Sequence, residues 1–118
     1  MANIMIVDDS RILRKILNNT LVEAGHTIVA DAGNGKEALL LLEKIKPDLV
    51  TLDITMPVMD GIEALKEIKK NYPDITVIMV SAAGQKNKVL EALKSGASDF
   101  IQKPFEPEDV INVISKFV

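Results

Sequence analysis

Four polar positions in the chain each follow directly on a short apolar run: Asp8-Asp9-Ser10, Asp53, Ser81 and Lys103-Pro104. Taken singly, each has an ordinary explanation. Asp8-Asp9-Ser10 suits the start of a helix, where short polar side chains cap and carboxylates meet the positive end of the dipole. Asp53, just ahead of Met56-Pro57, reads as a turn acid, Ser81 as a strand-end hydroxyl and Lys103 as a solvated cation. Taken together they suggest chemistry. Three carboxylates brought close repel one another unless a divalent cation or a proton relieves them. A donor set of oxygens alone, with room for water, favours Mg2+ over zinc. A carboxylate beside Mg2+, a hydroxyl and a lysine would suit phosphoryl transfer, which needs mainly positioning and charge neutralisation. The charge count agrees. Asp8 and Asp9 carry about -2 and an aspartyl phosphate at Asp53 about -2, while Lys103 and Mg2+ return +3, leaving roughly -1.

These residues meet only if the elements between them bring them together. Apolar runs at Ile4 to Val7, Thr27 to Ala32, Asp48 to Leu52, Ile75 to Ser81 and Ser98 to Gln102 read as strands. Several are apolar at consecutive positions, the pattern of a strand covered on both faces. Between them lie stretches of helical period: Leu13, Ile16, Leu17 and Leu21; Ala38, Leu42 and Ile45; Ile62, Leu65 and Ile68; Val89, Leu90 and Leu93; Val110, Ile114 and Phe117. Asn34 with Glu37 and Asp60 with Glu63 give start signals, Gly25 and Gly96 give stops, and Pro107 suits a first helical position. Strict alternation of five strands and five helices predicts an α/β fold with a doubly wound, five-stranded parallel sheet and right-handed crossovers. In such sheets ligands bind beyond the carboxyl ends of the strands, which is where the four polar positions fall.

Composition narrows the classes further. The 118 residues suit a single domain without disulfide staples, and there is no cysteine for a disulfide, a thiolate metal site or a thiol nucleophile. Aromatics are 3% and the net charge is -3, which leaves neither stacking platforms nor a basic field for nucleic acid. The longest stretch free of Asp, Glu, Lys and Arg, Ile75 to Gln85, is too short for a membrane span, and the first residues do not read as a signal peptide, which needs a basic start and a longer apolar run. A cytoplasmic monomer is therefore expected. His26, the one histidine, reads as a solvated turn residue. Gly33-Asn34-Gly35-Lys36 fails as a phosphate loop because Glu37 stands where Ser or Thr is required. Arg11, Arg14 and Lys15 read as a solvated helix face.

Ile6-Val7-Asp8-Asp9, Asp53-Ile54-Thr55-Met56-Pro57, Asp60-Gly61, Ser81-Ala82-Ala83 and Lys103-Pro104-Phe105 occur in an order and spacing that resembles the response-regulator receiver domains of the CheY type, over essentially the whole chain. The resemblance implies one receiver domain over residues 1–118, with the flavodoxin-like strand order 2-1-3-4-5. It implies that Asp53 takes a phosphoryl group from a histidine kinase. It further implies that Asp9 binds Mg2+ directly and Asp8 through water, with Asp53 and the Thr55 carbonyl as further ligands. Lys103 would pair with phosphoryl oxygens, Ser81 would move to hydrogen-bond them, and Phe100 would turn inward into the space released. Lys103-Pro104 resembles a bond that is cis in the family. Phe100 lacks the hydroxyl of the Tyr in many relatives, so its switching would rest on packing. The Ser81 to Gln85 stretch resembles chemotaxis regulators, with a flagellar motor switch component as the output partner. The alternatives are a phosphorelay intermediate and a receiver excised from a larger regulator. From another class, a Mg2+-dependent phosphatase with an aspartyl nucleophile needs a second acid two residues on, where Thr55 stands. On this reading the chain is a phosphoacceptor that phosphorylates and dephosphorylates itself, not a turnover enzyme.

Overall fold

The computed structural model describes residues 1–118. The strands are β1 (Asn3–Val7), β2 (Thr27–Ala32), β3 (Leu49–Asp53), β4 (Thr76–Ser81) and β5 (Asp99–Gln102); the helices are α1 (Arg11–Glu23), α2 (Gly35–Leu42), α3 (Gly61–Asn71), α4 (Lys86–Lys94) and α5 (Pro107–Ser115). All four strand pairings are parallel, in the order β2-β1-β3-β4-β5. The doubly wound α/β fold with order 2-1-3-4-5 is therefore the observed one.

The consecutive apolar residues of the central strands divide between the two faces, as a side-chain period of two requires. Met5, Val7, Val50, Leu52, Val77 and Met79 face a core of 19 buried residues completed by α2, α3 and α4. Ile4, Ile6, Leu49 and Ile78 face a second core of 10 residues, completed by α1 and α5 through Leu17, Leu21, Val110 and Ile114. A fully buried Leu or Ile contributes roughly 1.5–3 kcal/mol relative to exposure, so both faces hold the sheet firmly. No helix is long and apolar enough to cross a membrane.

The helix starts agree with the sequence. Ser10 Oγ accepts from Leu13 N–H at 3.2 Å, and Asn34 and Asp60 accept from the amides of Glu37 and Glu63, each at 2.9 Å. Pro107 opens α5. Gly25 and Gly96 carry positive φ just beyond α1 and α4.

The helix faces are narrower than the periodicity predicts. Ile16 is 44% exposed, and α1 buries Leu17, Thr20 and Leu21 instead. On α4 only Val89 and Ala92 are buried, with Leu90 and Leu93 on an open flank. Helix α2 ends before Ile45 and α5 before Phe117. The cause is position. Helices α1 and α4 each pack beside one neighbouring helix, α5 and α3 respectively, so one flank of each lacks a covering partner.

One glycine fixes how α3 meets the strand end. A Cβ on Gly61 would lie 2.0 Å from the Asp53 carbonyl oxygen and 2.7 Å from Ile54 Cα, and its own N–H donates to the Ile54 carbonyl at 2.7 Å. Backbone, not a flexible side chain, occupies that space. Gly61→Ala should therefore lower unfolding free energy by about 2–4 kcal/mol in urea denaturation. An unchanged midpoint would mean that α3 can move away from β3 freely.

Candidate functional site

The carboxyl ends of β1, β3, β4 and β5 bring the sequence-selected residues to one edge. Asp8 follows β1 at 1% exposure, and Asp53 closes β3 at 4%. Asp9 beside them is exposed. A ligand oxygen from each of Asp8, Asp9 and Asp53 lies within 4.8 Å of the other two. The Lys103 ammonium stands 3.4 Å from Asp8 Oδ2 and 3.4 Å from Asp53 Oδ1. Ser81 ends β4, buried, with its carbonyl accepting from Lys103 N–H at 2.7 Å. The Lys103-Pro104 peptide bond is cis.

The two oxygens of Asp8 have different surroundings. Oδ1 accepts from Ser10 N–H at 2.8 Å, which ties the carboxylate to the start of α1. Oδ2 is buried with no hydrogen-bond donor and has only the ion pair with Lys103. A buried acceptor without a donor carries a desolvation penalty unless a charge meets it. One ammonium cannot balance three carboxylates, so this oxygen-only set fits a divalent cation of the Mg2+ kind. Asp53 records the same imbalance. Its carboxyl is pushed up from 3.8 to about 6, first by burial and then by the charge of Asp8, with Lys103 pulling the other way.

The segment between Asp53 and α3 is strained. Val58, β-branched and 77% exposed, has φ +69, and Met59 N–H donates back to the Pro57 carbonyl at 2.7 Å. A β-branched residue in this region costs on the order of 1–3 kcal/mol and persists only where its surroundings impose it. The tight turn returns the chain from buried Met56 to the Asp60 cap, beside the acid cluster.

Two expected participants lie on neighbouring segments. Thr55 is exposed on the loop after β3, with its hydroxyl engaged by Gln85. Phe100 pairs with Met79 in the sheet and is 37% exposed; it lines, with Ser81, Ala82, Gly84, Gln85 and Val89, a cavity of about 390 Å3. His26 is half-buried, not solvated as expected. Its Nδ1 accepts from Ala2 N–H at 3.1 Å, and burial and the nearby N-terminus lower its pKa. It stands before β2, at the other end of the sheet from the acids.

Two contributors were not apparent in the sequence. Arg14, read as solvated, donates to the Asp8 carbonyl at 2.7 Å and pairs with Asp31 at 2.9 Å, so it braces the end of β1. Its place four residues after the Ser10 cap was the available signal, but the pairing to Asp31 depends on β2 lying alongside. Gln85 spans two loops, and neither contact leaves a sequence pattern.

Residues 4–115 match the family described as the response regulator receiver domain. The chemotaxis protein CheY of Thermotoga maritima is 46% identical over 96% of this chain and 94% of its own length. That of Bacillus subtilis is 48% identical with the same coverage. A chain in the crystal structure of the CheX-CheY-BeF3-Mg2+ complex from Borrelia burgdorferi superposes with a TM-score of 0.92 at 40% identity, covering 98% of this chain and 89% of that one.

The raised Asp53 pKa has a consequence for stability. The native state keeps this proton between about pH 4 and pH 6, where the unfolded chain has released it. The contribution of Asp53 to stability therefore falls as pH rises through that window and stays at its lowest above it. In EDTA, the stability of Asp53→Asn relative to the parent should rise from pH 4 to pH 6 and then level off. The change should be on the order of 1–3 kcal/mol by chemical denaturation. Parallel stability curves would show that the carboxyl is not strained.

Proposed function

Because the chain belongs to the response regulator receiver domain family, of the CheY type in two-component regulation, we propose that Asp53 is its phosphoacceptor and that phosphorylation switches a protein-binding surface. The observation that carries this reading is the cluster: a buried carboxylate 3.4 Å from an ammonium, flanked by two further acids, at the ligand-binding end of a parallel sheet.

With its carboxyl at about 6, Asp53 is largely ionised at neutral pH, as a nucleophile must be. Its oxygen supplies the electron pair for the new O–P bond. The P–N bond of a phosphohistidine on the kinase breaks, and its pair leaves on the imidazole nitrogen. Lys103, already within 3.4 Å of Asp53, neutralises the arriving phosphoryl oxygens. Asp8, Asp9 and Asp53, with the Thr55 backbone carbonyl, would hold Mg2+. When bound there, Mg2+ supplies charge neutralisation to the transferring group. The Borrelia complex, which pairs a CheY with Mg2+ and a beryllofluoride group, supports this use of the site.

The output follows from the same edge. The Ser81 hydroxyl donates to a phosphoryl oxygen as the loop after β4 moves, and Phe100 turns into the cavity they share. Lacking a hydroxyl, Phe100 signals by packing. Residues 1–118 act as one receiver unit, an acceptor and not a turnover enzyme. A chemotaxis role is supported by the CheY relatives, each spanned over 94% of its length, and a flagellar motor switch component is the target that the Ser81 to Gln85 stretch suggests.

A small phosphodonor with Mg2+ should add one phosphoryl group, cleaved by hydroxylamine as an acyl phosphate is, and Asp53→Asn should abolish it. Mass spectrometry placing the label on Ser81 or His26 would refute the assignment. Separately, Asp9→Ala should weaken Mg2+ binding at least tenfold, about 1.4 kcal/mol. An unchanged Mg2+ titration would remove Asp9 from the metal site.

A further inference from the structure

The side-chain amide of Gln85 ties together the two loops that border Asp53. Its Oε1 accepts from Ala82 N–H at 2.6 Å, and its Nε2 donates to Thr55 Oγ1, also at 2.6 Å. A backbone N–H can only donate, so Ala82 fixes which end of the amide faces which loop. One contact is local to the loop between β4 and α4. The other crosses 30 residues of sequence to the loop between β3 and α3.

Little else anchors the first of these loops. Ala82, Ala83 and Gly84 make no backbone–backbone hydrogen bond, and Gly84 turns the chain at φ +84 with open space around it. Gln85 occupies the N-cap position of α4, yet its side chain caps nothing there. The polar group that could serve the helix serves the loops instead.

We propose that Gln85 is a positioning residue that straps the β4–α4 loop in its unphosphorylated position, so that switching has to release it. This rests on Asp53 being the phosphoacceptor. If Ser81 moves towards a phosphoryl group, the adjoining Ala82 is carried with it, and its N–H leaves the Gln85 carbonyl oxygen. Phosphoryl oxygens are charged acceptors and form hydrogen bonds roughly twice as strong as those of a neutral amide. The exchange therefore runs towards the phosphorylated arrangement, and the strap sets how far. Thr55 loses its partner in the same event, which couples the two loops.

The test is an NMR titration of the intact protein with beryllofluoride and Mg2+. Removing the strap by Gln85→Ala should tighten beryllofluoride binding about 3- to 10-fold, the range of one neutral hydrogen bond. Exchange of the Ala82 amide in the ligand-free protein should also speed up, which a general packing defect elsewhere would not do selectively. Thr55→Val should shift affinity in the same direction. The Gln85→Ala, Thr55→Val double variant should bind no tighter than Gln85→Ala alone, because both substitutions break one connection. Unchanged or weaker binding in Gln85→Ala, unchanged Ala82 exchange, or full additivity would overturn the strap. Asp53→Asn separates the two failures: binding that survives it undermines the phosphoacceptor reading, whereas binding that needs Asp53 but ignores Gln85 undermines the strap alone.

Discussion

Mutual repulsion among three carboxylates is the constraint around which this molecule is organised. Oxygens of Asp8, Asp9 and Asp53 sit within 4.8 Å of one another with a single ammonium at 3.4 Å, and two of the three residues are nearly free of solvent exposure. Such an arrangement does not assemble by its own attraction. It is held because β1 and β3 are adjacent, and because apolar cores on both faces of the sheet leave the strand ends no freedom to separate. The upward shift of the Asp53 carboxyl reflects that confinement. A divalent cation or a proton would relieve it, so the same confinement that raises the carboxyl also suits the edge to hold a cation.

Around this edge the loops are held by specific devices that limit their movement. Ser10 ties Asp8 to α1, Arg14 grips the carbonyl of Asp8, and Gly61 allows α3 to rest against the backbone of Asp53. The strained turn at Val58 closes the other side. The β4–α4 loop differs: it has no backbone ladder and only the Gln85 side chain bridging it to its neighbour. Rigidity is concentrated where charge must be held, and freedom where a signal would pass.

That contrast extends to the surface. Phe100 and the open flank of α4, with Leu90 and Leu93, lie on the side of the sheet next to this loop, only partly buried. A packing change there needs little unfolding. A ligand at Asp53 biases such an equilibrium only by what it bonds differently in the two states. Lys103, 3.4 Å from both Asp8 and Asp53, is one donor whose bonds such a ligand would change.

The alternation of apolar runs with helical stretches was legible in the sequence, and with it the α/β class, the cap residues and the edge on which Asp8, Asp53, Ser81 and Lys103 meet. These are local properties, set by side-chain period and turn chemistry within a dozen residues. Other features depended on the tertiary structure. Ile16, Leu90 and Leu93 fit an apolar stripe yet remain exposed, because burial depends on whether a neighbouring helix exists to cover each flank. His26 became half-buried because β1 brings Ala2 to it. Arg14 found Asp31, and Gln85 found Thr55 across 30 residues, only after parallel strands had placed distant loops side by side. Periodicity encodes which side of an element is apolar, whereas hydrogen bonds between loops depend on distances that exist only once the sheet has formed.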